Sequence, residues 1–329
     1  MSRPRILSGM RPTGALHLGH LTGALDNWVG LQDDYECYWA VVDWHALTTH
    51  YADPGEIRQG ILEVATDWLA FGLDPERSAL FIQSQVPEHA ELHLLLSMII
   101  PVPWLERVPS YKEQQQQLSE RDLSTYGFLG YPLLQTADII IYRAAAVPVG
   151  EDQAPHIELC REIVRRFNNF YGEVFPEPKT LLTPVPRIPG TDGRKMSKSY
   201  DNAIFLKDEP ETVRARLKPM ITDPARQRRR DPGSPDRCPV FDLHKAFSNE
   251  ETRSWATEGC RTAGIGCLEC KAKLTEHLLE RLEGISVRRR ELEARPDTVW
   301  DVLAAGGRRA RETAAATMDA VRAAMKIRY

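Results

Sequence analysis

The chain has 329 residues, 42% of them hydrophobic and 27% charged, with 42 Lys and Arg against 46 Asp and Glu and a formal net charge of -4. That length is enough for a large core in two domains, or in one domain with a large insert, and the composition is that of a soluble globular protein rather than a peptide-like binder. No run reaches the ~18 apolar residues a membrane helix requires, which excludes a helical membrane protein.

The N-terminus opens with a short apolar run at Arg5 to Leu7. Ser8, Gly9 and Arg11 interrupt what would have to be the apolar part of a signal peptide, so a cytoplasmic location is the default expectation. The run leads into Pro12-Thr13-Gly14-Ala15-Leu16-His17-Leu18-Gly19-His20, and Leu21, Leu25, Trp28 and Val29 then recur at helical spacing. The pattern predicts strand, Gly-rich turn, helix start. Such a turn offers backbone N-H groups and a positive helix terminus to an anion, and Gly19 has no side chain to keep a nucleotide away. His17 and His20 add donors for charge developing on a phosphate. As a metal pair they are the weaker choice, because no carboxylate or cysteine stands nearby.

Cys37 to Val42 and Leu80 to Ile82 read as buried strands, and Ile57, Ile61, Leu62, Ala65 and Leu69 share one helical face after Pro54. This alternation predicts an α/β fold, a parallel sheet covered by helices. Between about residues 102 and 176 the pattern turns helical, with Ile157, Cys160, Val164 and Phe167 in register, and reads as an insert in the sheet. Gln114 to Gln117 is the one low-complexity stretch, expected to be exposed. Tyr131, Gln135 and Asp138 fall at i, i+4 and i+7, so on a helix they share a face. A polar trio is costly to bury without partners: either Asp138 caps or pairs on a surface helix, or the trio meets a ligand. An indole N-H is a donor only, and a carboxylate such as Asp138 supplies its acceptor.

Proline and glycine punctuate residues 176 to 193 and deliver Lys195-Met196-Ser197-Lys198-Ser199, two ammonium groups three positions apart in a polar segment. Such a pair is suited to gripping the departing pyrophosphate of a nucleotide, although lysine-rich loops are also common as solvated surface. After about residue 205 strand signals vanish. Residues 206–329 hold 25 Lys and Arg against 20 Asp and Glu, whereas residues 1–205 hold 17 against 26. Clusters at Arg228 to Arg230, Arg288 to Arg290 and Arg308, Arg309 and Arg311 suit a polyphosphate partner, or, interspersed with acids, decorate solvated helices. The last helix is predicted behind a breaker pair, Gly306-Gly307, with Ala310, Ala314, Met318, Val321 and Met325 on one face.

Cys37 and Cys160 lie inside apolar patterns and read as buried thiols. Cys238, Cys260, Cys267 and Cys270 form C-x21-C-x6-C-x2-C, which favours metal ligation over disulfides in a chain with no secretory signal. The spacing leaves the metal open between zinc and iron-sulfur, since only one close C-x2-C pair is present.

His17-Leu18-Gly19-His20 and Lys195 to Ser199 resemble the two signature motifs of class I aminoacyl-tRNA synthetases, in the order and separation of that class. Ser8 to Gly14, Val42-Asp43-Trp44-His45-Ala46 and Val147 to Gln153 are further similar to tryptophanyl-tRNA synthetases, and the likeness covers essentially the whole chain. The resemblance implies a Rossmann-type catalytic domain over 1–205 with a helical insert at about 102–176, then an all-helical anticodon-binding domain over 206–329. It implies ATP and Mg²⁺ as cofactors, L-tryptophan and tRNA(Trp) as partners, no membrane, and a symmetric homodimer. Arg11, Pro12, Thr13, Gly19, His20, Gly150, Glu151, Asp152, Lys195, Met196, Ser197, Lys198 and Ser199 then hold ATP, with Lys195, Lys198, His17 and His20 catalytic and Lys112 a further phosphate contact. Asp138 takes the indole, Tyr131 and Gln153 the α-amino group, and Gln135 and His45 complete the pocket. The four-cysteine spacing is similar to that of the bacterial subset carrying a 4Fe-4S cluster, with zinc as the alternative. Arg11 and Gln135 stand where many tryptophanyl enzymes have Gln and Met, and Tyr-x-x-x-Gln-x-x-Asp also resembles the tyrosyl-tRNA synthetase pocket. A tyrosyl enzyme and a non-catalytic iron-sulfur RNA-binding protein are the alternatives.

Overall fold

A computed structural model of the chain describes residues 3–109, 111, 122–182 and 188–329. Lys112 and Gln114 to Gln117 lie outside the described residues. Five strands, β1 (Arg5–Met10), β2 (Glu36–Val41), β3 (Ser78–Ile82), β4 (Ala146–Val149) and β5 (Lys179–Leu182), form one parallel sheet in the order β3-β2-β1-β4-β5. Every pairing is parallel, with Ile6 opposite Cys37 on one side and Ala146 on the other. Parallel strands covered on both faces must be apolar throughout, and β2 is buried from Cys37 to Val41. On one face Trp28 stacks on Trp39 at 4.4 Å and meets Trp68 edge-on at 5.7 Å. On the other, Tyr38 stacks on Tyr142 at 4.4 Å. The helix Ala154–Tyr171 buries Ile157, Cys160, Val164 and Phe167, as their spacing predicts.

Two expectations are corrected by this arrangement. The stretch 102–176 is not wholly helical, because β4 lies within it and pairs with both β1 and β5. Its four residues Ala-Val-Pro-Val are too short a run to stand out, and Pro148, with no N-H, argues against an interior strand. Gly306 and Gly307 break nothing: one helix runs Pro296–Ala324 through both. They are there for close approach. A Cβ on Gly306 would lie 1.9 Å from the Leu80 carbonyl oxygen of β3, and one on Gly307 would lie 2.6 Å from Gln85 Oε1.

That packing changes where the tail belongs. Ala310, Ala314, Met318 and Val321 are buried in the same core as Leu7, Tyr38 and Phe81, and Arg311 and Arg322 pair with Glu88 and Glu91 at 2.9 and 2.6 Å. Residues 1–14, 28–183 and 295–329 therefore make one compact unit, and residues 15–27 with 184–294 make the other. The helical residues after 205 divide at 294 instead of forming one block.

The second unit has its own core. Helices Pro210–Leu217, Pro239–Phe247, Glu250–Arg261 and Cys267–Glu293 bury Val213, Leu217, Val240, Leu243, Ala256, Leu274, Leu278, Leu282 and Ile285. Among the described residues no helix is long and apolar enough to cross a membrane.

Candidate functional site

In the sheet unit the helix Tyr131–Ile140 places Asp138 in the interior, 3% exposed, which removes the surface-helix reading. Gln83 Nε2 donates to both carboxylate oxygens at 2.8 Å. His89 Nδ1 donates to Oδ1 at 2.6 Å, and His45 Nε2 to Oδ2 at 2.9 Å. Burial alone would push the carboxyl up, but the hydrogen bonds from His45 and His89 outweigh it and bring it down to about 2. Asp138 is thus an anion at neutral pH.

An ionised carboxylate only accepts, so His89 presents an Nδ1-H to Asp138, and its Nε2 is hydrogen-bonded to the Tyr142 hydroxyl at 2.6 Å. Burial holds that hydroxyl neutral, well above the usual phenol range.

Around this carboxylate, Tyr131 is buried with its ring 5.6 Å from that of His156, while Gln135 is half-buried. Burial lowers His156 to about 4, so it is a neutral imidazole. Gln153 Nε2 donates to Asp152 Oδ2 at 2.9 Å beyond the end of β4, and Glu151 and Asp152 are exposed. A Cβ on Gly150 would come within 2.8 Å of Asp152 Oδ1. Arg11 is half-buried just past β1; burial lowers its pKa, opposed by Tyr131. Pro12 is buried and Thr13 exposed, and Pro12 sits under Gly60, where a Cβ would lie 2.1 Å from the Pro12 carbonyl oxygen. These ends of β1 and β4 are the carboxyl edge of a parallel sheet, where open α/β folds bind ligands.

In the second unit, His17 caps the short helix Leu18–His20. Its Nδ1 accepts from the Gly19 N-H at 3.1 Å, and His20 Nδ1 accepts from the His17 N-H at 3.2 Å. The helix continues into a π-type turn over Leu21–Leu25, a geometry common at functional sites. Burial first, then the charges of Lys198 and Lys195, lower His17 to about 4. Burial, His17 and the same two lysines lower His20 to about 3. Both rings are therefore neutral, with Nδ1 accepting, so each presents an Nε2-H donor. The two expected motifs, far apart in sequence, come together here, with Leu18 N-H donating to the Ile204 carbonyl at 3.0 Å and Leu206 N-H to that of Leu16 at 2.9 Å.

The lysine loop is held by Asn202, which is 1% exposed. Its Oδ1 accepts from the Ser197 N-H at 2.8 Å, and its Nδ2 donates to Asp192 Oδ1 at 2.7 Å and to the Lys195 carbonyl at 3.2 Å. Met196 is buried, while Lys195 and Ser199 are exposed and Ser197 and Lys198 half-buried.

The four cysteines also converge in this unit. Burial, then the charges of Cys238, Cys260 and Cys267, push Cys270 up to about 12. Arg226 Nη1 lies 3.8 Å from Cys260 Sγ, and its Nε is buried with no hydrogen-bond partner among the described residues. His244 Nε2 lies 3.3 Å from Cys270 Sγ, and a Cβ on Gly233 would crowd Cys260 Sγ at 2.7 Å. Among the described residues, however, no group of three or more His, Cys, Asp or Glu is arranged to hold a metal ion.

A family model described as tRNA synthetases class I (W and Y) matches residues 1–283. The chain belongs to that family. Among relatives of this synthetase family, a tryptophan--tRNA ligase of Thermotoga maritima is 54% identical, covering 99% of this chain and 100% of its own length. One from Aquifex aeolicus is 48% identical over 98% and 100%. A crystal structure of tryptophanyl-tRNA synthetase from Campylobacter jejuni, complexed with ADP and tryptophan, superposes with a TM-score of 0.88 at 31% identity, covering 98% of this chain and 99% of that one.

Gln83, His89, Tyr142 and Asn202 were not singled out from the sequence of this synthetase. A signal existed for His89, which falls with Leu92 and Leu96 on one buried helical face, and for Gln83, a polar residue ending an apolar strand. Asn202 carries no such mark. Of the arginine clusters, Arg309 and Arg311 are engaged with the Pro75 carbonyl and Glu88, and Arg289 is buried beside Glu293.

Proposed function

We propose that this chain activates L-tryptophan with ATP, giving tryptophanyl-adenylate and pyrophosphate, and then transfers the acyl group to the 3′-terminal ribose of tRNA(Trp). One observation carries the recognition of a ring donor: a buried, ionised acceptor, Asp138, on the helix that also bears Tyr131 and Gln135. Full-length relatives at 40 to 54% identity bear the name tryptophan--tRNA ligase. A site built around a buried acceptor rejects analogues without the donor by orders of magnitude.

The first step needs no general base, because the substrate carboxylate is already the nucleophile. Its oxygen attacks the α-phosphorus and the α-β bridging P-O bond breaks, so catalysis reduces to in-line positioning and charge stabilisation. Lys195 and Lys198 bear on the departing pyrophosphate, and His17 and His20 offer neutral Nε2-H donors. Arg11, Pro12, Thr13, Gly19, Gly150, Glu151, Asp152, Met196, Ser197 and Ser199 position ATP. Mg²⁺ carried in with the nucleotide would add charge stabilisation to that of Lys195, Lys198, His17 and His20. Tyr131 and Gln153 take the α-amino group, with Gln135 and His45 lining the pocket.

Residues 206–294 bind the anticodon region, with exposed Arg228, Arg229 and Arg230 available to phosphates. Cys238, Cys260, Cys267 and Cys270 would hold a 4Fe-4S cluster, or zinc, pinning that segment. The Arg226 guanidinium, with Nη1 3.8 Å from Cys260 Sγ, suits an anionic group there. Cys270→Ser would then remove visible absorbance and weaken tRNA charging more than adenylate formation. Leu94, Met98, Val102 and Tyr126, all more than half exposed, suit the face of a homodimer, testable by sedimentation. The activity belongs in the cytoplasm.

Pyrophosphate exchange with each of the twenty amino acids tests the assignment. Exchange with tryptophan alone is expected. Exchange with tyrosine would favour the sister specificity, and none at all a binding protein.

A further inference from the structure

The acceptor that the proposed function assigns to the ring N-H is already full. A carboxylate offers about four lone-pair sites, and each Asp138 oxygen takes two contacts: Oδ1 from Gln83 Nε2 and His89 Nδ1, Oδ2 from Gln83 Nε2 and His45 Nε2. An incoming N-H has no seat unless one resident donor leaves. The three donors differ in how firmly they are held.

Gln83 is fully buried and spans both oxygens. His89 is fully buried, and its far nitrogen is tied to Tyr142 at 2.6 Å, so moving it breaks two bonds. His45 makes the longest of the contacts, 2.9 Å. Among the described residues its ring has no other hydrogen bond, and its side chain retains 8% exposure against 0% for His89.

We propose that His45 is the exchangeable donor of the Asp138 cage: it satisfies the carboxylate in the empty enzyme and gives up Oδ2 to the ring N-H of the bound amino acid, while Gln83 and His89 stay in place. This deepens the reading above and rests on Asp138 being the ring acceptor. It makes His45 a competitor that every ring occupant must displace, while discrimination rests on what is returned to Asp138. A ligand with a ring N-H replaces one charge-assisted bond by another, whereas a ligand without one loses the His45 bond and returns nothing.

The test compares L-tryptophan with its isostere bearing a ring sulfur in place of N-H, by calorimetric titration of the full chain. In His45→Ala the competitor is gone, so both ligands are expected to bind roughly tenfold or more tighter, the size of one hydrogen bond to a charged group, with the preference for tryptophan over the isostere unchanged. Equal weakening of both ligands overturns the exchange and makes His45 an ordinary wall of the pocket. Asp138→Asn separates the two ideas: an unchanged preference in that variant removes Asp138 as the ring acceptor and so fails the underlying reading, whereas a collapsed preference with no gain in affinity for either ligand in His45→Ala fails the exchange alone. Should His45→Ala not fold, histidine side-chain ¹⁵N spectra of the unaltered protein decide. The His45 resonances must move on saturation with tryptophan while those of His89 stay, and an unmoved His45 sinks the proposal.

Discussion

Asp138→Asn is the most informative single change, because the structure sets its size and its pH dependence. The carboxyl is lowered from 3.8 to about 2, which corresponds to roughly 2.5 kcal/mol in favour of the ionised form. Asparagine keeps the shape, removes the charge, and must point an N-H toward one resident donor. The amide oxygen can serve only one of His89 and His45, and the amide nitrogen then faces the other. The remaining loss is of charge-assisted bonding, about 2–3 kcal/mol. The folded pKa lies below the ordinary one, so this contribution is complete above about pH 4 and is lost as pH falls through 2. Thermal melts of both proteins from pH 2.5 to 7 should show the variant lower by roughly 5 °C at pH 7, with the gap closing below pH 4. A gap independent of pH, or none at neutrality, would refute the account of Asp138 as a stabilised buried anion.

Lys195→Ala should slow adenylate formation strongly, by on the order of 100-fold, while tryptophan affinity measured by calorimetry stays within a factor of two; parallel loss of both would place Lys195 in ground-state binding. Asn202→Ala releases the Ser197 N-H, Asp192 and the Lys195 carbonyl together, and single-turnover adenylate formation should fall roughly 10- to 100-fold with KM for tryptophan unaltered, an outcome that an unaffected rate contradicts. His17 and His20 are lowered from 6.5 to about 4 and about 3. They stay neutral in the fold, so their contribution to stability is complete above about pH 6.5 and declines as pH drops toward 4, and the pyrophosphate-exchange profile should carry no inflection from either between pH 6 and 8. An inflection removed by His20→Asn would show a charged ring instead. Gly306→Ala forces a Cβ toward the Leu80 carbonyl oxygen, 1.9 Å away in the present backbone, and should destabilise by about 1–3 kcal/mol in thermal melts; wild-type stability would mean the helix can shift freely.

What could be read along the chain was whatever is encoded in neighbours. Apolar runs marked β1, β2 and β3, 3.6-residue periodicity marked the helix Ala154–Tyr171, and short motifs marked the His17 to His20 turn and the Lys195 to Ser199 loop, because each depends on residues within a few positions of one another. The spacing of Tyr131, Gln135 and Asp138 likewise showed a shared face but not which way it looked. Tertiary packing decided that, since only the meeting of β3, the helix Glu88–Ser97 and the helix Tyr131–Ile140 brings Gln83, His89 and Asp138 into one buried cage, at sequence separations of 55 and 49. Packing also turned Gly306 and Gly307 from apparent breakers into contact points and returned the last helix to the sheet, because a glycine's meaning depends on the backbone that approaches it. Asn202 shows the same division: two positions from Tyr200 it looks like any loop amide, and only folding the loop back onto Asp192 and Ser197 makes it the clasp of the lysine segment.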